Sequence, residues 1–219
     1  MLPAASGPLA VPRVEVMVAR VARGEREAAR GLALGLAARV CGVAVAGLRL
    51  ERAASGRPYV VGGGGRVEVS LSHARGVVAV AASRELAVGV DVEAVRPLAV
   101  GALAVGALAR RWFPADEAAW SGRWGPEREP SAFLWLWTQK EAMAKALGQG
   151  LGGGVGLLRE VVLPDEWPPG WAQRCRPLTA TPEVPELAVN AGELDGLMLA
   201  VAAAGTGAAQ ADVRIATAG

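Results

Sequence analysis

Three short strand-like runs follow one another with very little chain between them, and this spacing constrains the fold more than any other feature. Residues 66–71, 77–82 and 86–92 are rich in valine and in residues that favour β-strands. The segments between them, 72–76 and 83–85, are turns too short for the crossover that joins parallel strands. The sequence therefore predicts an antiparallel meander rather than a repeating βαβ unit.

Helical patterns lie on both sides of this meander. Helices are predicted at 24–41, 99–111, 114–120 and 131–147. Strands are also predicted at 14–20 and 197–203, so each half of the chain contains helical material followed by strands. This order favours an α+β fold made of an N-terminal half, residues 1–100, and a C-terminal half, residues 101–219.

Composition excludes several classes of protein. A hydrophobic content of 52% and a mean hydropathy of +0.30 exclude a disordered chain. The net charge of +2 lacks the strong basic excess that nucleic-acid binding favours. Residues 1–100 carry 13 arginines and 8 acidic residues, whereas residues 101–219 carry 10 basic and 13 acidic residues. This asymmetry suits an anionic ligand held between the halves, although solvated faces could differ by as much.

The sequence lacks the usual motifs for zinc binding, for a glycine-rich nucleotide loop and for a membrane-spanning helix. His73 is the single histidine, and Cys41 and Cys175 lie far apart, which argues against an ordinary zinc site. No glycine-rich phosphate loop follows a predicted strand. The N-terminal residues do not form a signal peptide, and the longest uncharged helical candidate, 97–109, is too short to cross a bilayer. We therefore expect a cytoplasmic protein without a membrane partner.

Two carboxylates share one face of the strand predicted at 86–92. Because side chains alternate along a strand, Asp91 and Glu93 lie on the same side as Gly89, and the valines between them lie on the other. Two carboxylates at this spacing suit Mg²⁺, which binds one or two carboxylates together with phosphate oxygens and water. The alternative is a polar strand face that meets solvent.

The helix at 131–147 carries a polar stripe. Thr138, Glu141 and Lys145 are spaced to lie on one face, so Glu141 could supply a third carboxylate and Lys145 could hold a phosphate. The alternative is a surface Glu–Lys pair worth about 0.2–0.5 kcal/mol. The same helix carries the only two lysines of the chain, Lys140 and Lys145. The other 21 basic residues are all arginine.

The remaining candidate is the pair Ser72 and His73 at the end of a predicted strand. A serine hydroxyl and a protonated histidine in a tight turn can bind phosphate. The alternative is a turn serine beside an exposed histidine. A serine hydrolase is disfavoured because the Gly-x-Ser-x-Gly motif is missing.

Taken together, these segments resemble the Sfp-type 4′-phosphopantetheinyl transferases over roughly residues 26–151. The matching parts are Arg30, 56–58 (Gly-Arg-Pro), 70–73 (Ser-Leu-Ser-His), 88–93 (Val-Gly-Val-Asp-Val-Glu), 111–117 (Arg-Trp-Phe-Pro-Ala-Asp-Glu) and 137–145 (Trp-Thr-Gln-Lys-Glu-Ala-Met-Ala-Lys). The segments 88–93 and 137–145, in this order and at this separation, are specific to the family.

The resemblance implies a pseudo-dimer of two α+β halves with coenzyme A bound in the cleft between them. It implies transfer of the phosphopantetheine arm of coenzyme A to a serine of an acyl or peptidyl carrier protein, with Mg²⁺, releasing adenosine 3′,5′-bisphosphate. The implied ligands of Mg²⁺ are Asp91, Glu93 and Glu141. Lys145 would neutralise the phosphate under attack, Glu117 would accept the serine proton, and the phosphates of coenzyme A would bind Arg30, Arg57, Ser72 and His73.

The sequence departs from the family pattern at two motif positions. Arg57 replaces the usual lysine, and Thr138 replaces a serine. Residues 152–219 match in outline alone, so no carrier-docking residue can be assigned. Two other functions stay open: a different Mg²⁺-dependent reaction on a nucleotide, and a non-catalytic module that binds coenzyme A or a carrier protein. Because one chain contains both halves, we expect a monomer.

Overall fold

The computed structural model describes residues 11–95, 102–149, 158–167, 179–181, 184 and 186–218. Within these ranges the chain forms a mixed α+β fold with two β-sheets and four α-helices. The α+β class predicted from the order of the elements is therefore confirmed. The predicted boundary near residue 100 lies outside the described residues, so the division into halves stays a prediction.

The helices and strands are named in chain order. The strands are β1 (Arg13–Arg20), β2 (Arg49–Arg52), β3 (Pro58–Gly62), β4 (Gly65–Ala74), β5 (Val77–Ser83), β6 (Ala87–Ala94), β7 (Thr179–Ala180), β8 (Leu187–Leu194), β9 (Leu197–Ala204) and β10 (Asp212–Ala218). The helices are α1 (Glu25–Cys41), α2 (Ala102–Trp112), α3 (Ala115–Gly122) and α4 (Glu129–Ala146). A short 3-10 turn covers Ala208–Gln210.

Two sheets lie face to face between layers of helix. The first sheet has the order β10-β1-β5-β4-β3-β2, and the second has the order β6-β9-β8-β7. All pairs are antiparallel except β1 with β10. Apolar side chains fill three cores: one between the sheets, one between the first sheet and α1, and one between the second sheet and helices α2–α4. The second sheet is thus buried on both faces.

The predicted meander is correct for β4 and β5 but wrong for β6. Strand β6 follows β5 after a short turn, yet it pairs with β9 from Ala87 opposite Ala204 to Ala94 opposite Leu197. The reason is that β5 already has a partner on each edge, β1 on one side and β4 on the other. No edge of β5 is left for β6, so β6 begins a new sheet beneath the first.

Alternation along β6 places its two faces in different layers. Val88, Val90 and Val92 lie in the core between the two sheets, as the sequence pattern predicts. The opposite face, which carries Asp91, lies towards α4 and is buried. The alternative of a solvent-facing polar strand is therefore wrong for Asp91.

No helix in the described part of the chain is both long and apolar enough to cross a membrane.

Candidate active site

A very close contact between Gly89 of β6 and Ala142 of α4 positions the site. A Cβ atom on Gly89 would lie 1.8 Å from the Ala142 carbonyl oxygen and 2.8 Å from the Ala146 amide nitrogen. Any side chain at this position would push the helix off the strand, so only glycine allows the approach. The contact brings the polar stripe of α4 directly over the face of β6 that carries Asp91 and Glu93.

Asp91 is the centre of a buried polar cluster. Its Oδ1 atom accepts hydrogen bonds from Ser72 Oγ at 2.7 Å and from Lys145 Nζ at 2.8 Å. Lys145 also donates to the Val90 carbonyl at 3.0 Å. Asp91 is 5% exposed, and its Oδ2 atom is buried without a hydrogen-bond partner among the described residues. One carboxylate oxygen is thus held by two donors, and the other has no donor among the described residues.

Glu141 lies in the electrostatic field of both strand carboxylates. The pKa of Glu141 is raised to about 7, first by burial and then by the negative charges of Asp91 and Glu93, while the charge of Lys145 opposes the rise. Neighbouring carboxylates raise one another's pKa because each disfavours the charged form of the other. The sequence-predicted residues Asp91, Glu93, Glu141 and Lys145 therefore share one site. The alternative of an isolated surface Glu–Lys pair on α4 is wrong, since Lys145 pairs with Asp91.

The described residues contain no group of three or more His, Cys, Asp or Glu side chains arranged to hold a metal ion. Lys145 already binds one oxygen of the Asp91 carboxylate, Oδ1. The donor set still suits Mg²⁺, which prefers carboxylate oxygens. Asp91 Oδ2 lacks a partner within the described part of the chain, and a cation would relieve the repulsion that raises the pKa of Glu141. The assignment of Asp91, Glu93 and Glu141 as metal ligands remains a prediction.

A cavity of about 280 Å³ opens beside Lys145. Its lining includes Arg52, Arg57, Ser70, Lys145, Gly148 and Gln149. The Arg57 guanidinium donates to the Ala146 carbonyl at 2.9 Å and lies 3.1 Å from a carboxylate oxygen of Glu68. Arg57 Nε is buried without an acceptor among the described residues. The cavity thus places three cationic side chains, Arg52 and Arg57 from the N-terminal half and Lys145 from α4, around one space.

Glu117 occupies a different environment, on the opposite side of α4 from β6. Its two carboxylate oxygens lie 2.7 and 2.6 Å from Lys140 Nζ, and Oε1 also accepts the Val161 amide at 2.9 Å. Lys140 donates in addition to the Arg159 carbonyl. Burial raises the pKa of the Glu117 carboxyl, and the charge of Lys140 opposes that rise. No described contact joins Glu117 to Asp91 or Lys145.

Residues 87–187 match the family model of the 4′-phosphopantetheinyl transferase superfamily. The matched segment begins at β6 and includes α2–α4, so it contains Asp91, Glu93, Glu117, Glu141 and Lys145. It supports a transferase, and phosphopantetheine transfer in general, with coenzyme A as the substrate that this superfamily uses. A search of curated proteins gives no match to the chain.

The phosphopantetheinyl transferase match does not extend to the candidate coenzyme A ligands of the N-terminal half. Arg57 and Ser72 lie at the site, but His73 and Arg30 have exposed side chains outside the polar cluster. Strand β4 continues to Ala74, so the turn predicted from residue 72 begins later, and consecutive side chains face opposite sides. Ser72 therefore points to Asp91, and His73 points away from it.

The sequence pattern did not predict two hydrogen bonds of the site, which are made by Ser70 and Ser72. Ser70 Oγ accepts a hydrogen bond from the Val90 amide at 3.0 Å, which joins the first sheet to β6 next to Asp91. Ser72 donates a hydrogen bond to the Asp91 carboxylate, whereas its place in the sequence motif predicts a contact with a phosphate. The Ser-Leu-Ser spacing was the available signal, since it places both hydroxyls on one face of a strand.

Proposed function

We propose that the protein is an Sfp-type transferase that moves the 4′-phosphopantetheine arm of coenzyme A onto a serine hydroxyl of an acyl or peptidyl carrier protein. The observation that carries the proposal is the ion pair between Lys145 and Asp91 at the contact of α4 with β6. Both residues lie in the segment that matches the superfamily, and a cavity that Lys145 lines adjoins them.

The reaction forms a bond between the serine oxygen and the phosphorus of the arm and breaks the bond between that phosphorus and the other half of the pyrophosphate. Adenosine 3′,5′-bisphosphate leaves with the electron pair of the broken bond, and the serine proton passes to water. Such transfers depend mainly on positioning and on neutralising charge at the phosphoryl oxygens. The chain would supply both within one cluster of buried and partly buried side chains.

Asp91, Glu93 and Glu141 would hold Mg²⁺, with the unpaired Oδ2 of Asp91 as one ligand atom. When bound, the ion would stabilise negative charge on the pyrophosphate. Ser72 orients Asp91 by its hydrogen bond to Oδ1. Lys145 extends from α4 next to the cavity, where its ammonium can also contact a phosphate oxygen.

Arg57 is the best-placed phosphate ligand of the N-terminal half. Its guanidinium lines the cavity, and a buried Nε without an acceptor among the described residues can donate to a phosphate oxygen. Arg30 and His73 complete the proposed coenzyme A ligands through the family resemblance alone. The resemblance likewise supports a pseudo-dimer of two halves, a monomeric protein and a cytoplasmic location.

Mass spectrometry of an apo carrier protein incubated with the purified protein, coenzyme A and Mg²⁺ tests this function. We expect the carrier to gain one phosphopantetheine arm, and the Asp91→Ala variant to add none. A panel of fatty-acid, polyketide and peptide carriers is needed because the carrier class is unknown. A protein that binds coenzyme A but modifies no carrier of the panel would instead be a binding module.

A further inference from the structure

The chain has two lysines, and each forms an ion pair with a buried carboxylate. Lys145 Nζ lies 2.8 Å from Asp91 Oδ1, and Lys140 Nζ lies 2.6 Å from Glu117 Oε2. The two carboxylate residues are 5% and 2% exposed. Every other basic residue of the chain is an arginine. The two lysines are thus used in parallel ways on one helix.

The two ion pairs hold α4 from different sides. Five residues separate the lysines, which at 3.6 residues per turn places them about 140° apart around the helix axis. Lys145 ties α4 to β6, whereas Lys140 ties it to α3 through Glu117 and to the segment after residue 158 through the Arg159 carbonyl. The rotation of α4 about its axis is therefore fixed by two opposed contacts.

The Lys140 pair is not explained by stability alone. Lys140 has no exposed surface, and replacing a buried ion pair by apolar side chains of similar size is often neutral or stabilising. Apolar contacts, however, do not fix a direction as hydrogen bonds do. Here Glu117 accepts from both Lys140 and the Val161 amide, so the pair defines where three segments meet. Glu141 follows Lys140 directly in α4, so the direction in which its side chain points depends on how this junction orients the helix.

We propose that Glu117 and Lys140 are a positioning pair that sets the rotation of α4, and with it the placement of Glu141 and Lys145 opposite Asp91. Glu117 then acts on the reaction through Lys140 and does not accept the serine proton. Its carboxylate is 2% exposed and already faces an ammonium and an amide, which leaves little access for a substrate hydroxyl. This inference rests on the proposed transfer reaction for its kinetic readout.

Two variants separate positioning from proton transfer and from simple packing. Glu117→Gln keeps the size of the side chain and removes its charge. The double variant Glu117→Leu with Lys140→Met replaces the whole pair by apolar side chains. For each we measure kcat, KM for coenzyme A, Mn²⁺ binding by electron paramagnetic resonance and hydrogen exchange at the Val161 amide. The exposed pair Arg49 and Glu51, replaced by alanine, is the control.

We expect both variants to raise KM for coenzyme A about threefold or more and to weaken Mn²⁺ binding, with a smaller loss of kcat. Exchange at the Val161 amide should become faster in both. A fall of kcat by about 10²–10⁴ at unchanged KM and Mn²⁺ affinity would identify Glu117 as the general base and overturn the inference. Wild-type values of all these parameters in a folded double variant would show that the pair only fills space in the core. That result would also overturn the inference.

The Mn²⁺ and hydrogen-exchange measurements need no turnover, so they keep this inference separate from the proposed function. If the wild-type protein modifies no carrier but Glu117→Gln still weakens Mn²⁺ binding, the transfer reaction fails and the positioning pair stands. If the wild type transfers the arm and neither variant changes KM or Mn²⁺ affinity, the positioning pair fails alone.

Discussion

Gly89 and Ala142 approach so closely that a single added carbon on the glycine would lie 1.8 Å from the Ala142 carbonyl oxygen. This contact lets α4 lie on the polar face of β6. It explains why a glycine precedes Asp91 by two residues, since both side-chain positions lie on the face that the helix covers. The site therefore depends on a backbone contact as much as on its charged groups.

We expect Gly89→Ala to lower the free energy of unfolding by about 3 kcal/mol or more, because the helix must move away from the strand to make room. Activity should fall as well, since Asp91 and Lys145 would separate. Gly31→Ala is the matched control: this glycine lies in α1, and a Cβ there meets open space. That variant should gain about 0.5–1 kcal/mol. Urea denaturation measures both, and equal effects would contradict the close-contact explanation.

Lys145 should contribute directly to transfer, in addition to holding α4 on β6. We expect Lys145→Ala to lower kcat/KM by about 100-fold or more, since it removes a positioned cation from the site. Lys145→Arg should recover only part of this loss, because a forked guanidinium does not reproduce one ammonium donating to Asp91 and to the Val90 carbonyl. Carrier modification under steady-state conditions gives the values. A Lys145→Ala enzyme within threefold of wild type would remove this residue from the mechanism.

Glu141 should make stability depend on pH. Its pKa in the folded protein, about 7, lies above the ordinary value of 4.5, so the folded state binds more protons than the unfolded state between these pH values. The contribution of Glu141 to the free energy of unfolding should therefore be greatest below about pH 4.5. It should be lost as the pH rises through about 7.

Urea denaturation of wild type and Glu141→Gln from pH 5 to pH 8 tests this dependence. We expect the variant to lose less stability over this interval, and Mg²⁺ to offset the wild-type loss near pH 8 because a cation favours the charged carboxylate. Glu127→Gln, at an exposed position, serves as the control. Parallel pH dependence in wild type and Glu141→Gln would show that another group is responsible.

Arg57 should determine affinity for coenzyme A. We expect Arg57→Ala to raise KM for coenzyme A about tenfold with little change in kcat, which is the result of losing a contact that substrate and transition state share. The KM of Arg57→Lys should lie between those of wild type and Arg57→Ala, because one ammonium cannot contact both the Ala146 carbonyl and Glu68 as the guanidinium does. Arg49→Ala, at an exposed position, is the control. An unchanged KM in Arg57→Ala would place the pyrophosphate elsewhere.

Local pattern alone predicted which side chains of β6 and of α4 share a face. Alternation along β6 separates Val88, Val90 and Val92 from Asp91, and helical spacing puts Glu141 and Lys145 on one stripe. These relationships depend only on backbone geometry within one element, so a single sequence contains them. The same reasoning placed Ser72 and His73 together in a turn, and that turn is wrong because the strand continues two residues past Ser72.

Only the tertiary structure decided which elements meet. The pairing of β6 with β9, the burial of Asp91 beneath α4 and the pairing of Lys140 with Glu117 all join residues distant in sequence. Which edge of a strand is still free, and which carboxylate a buried ammonium reaches, depend on how the whole chain packs. Local preference fixes the faces of each element, whereas competition among long-range contacts fixes their partners.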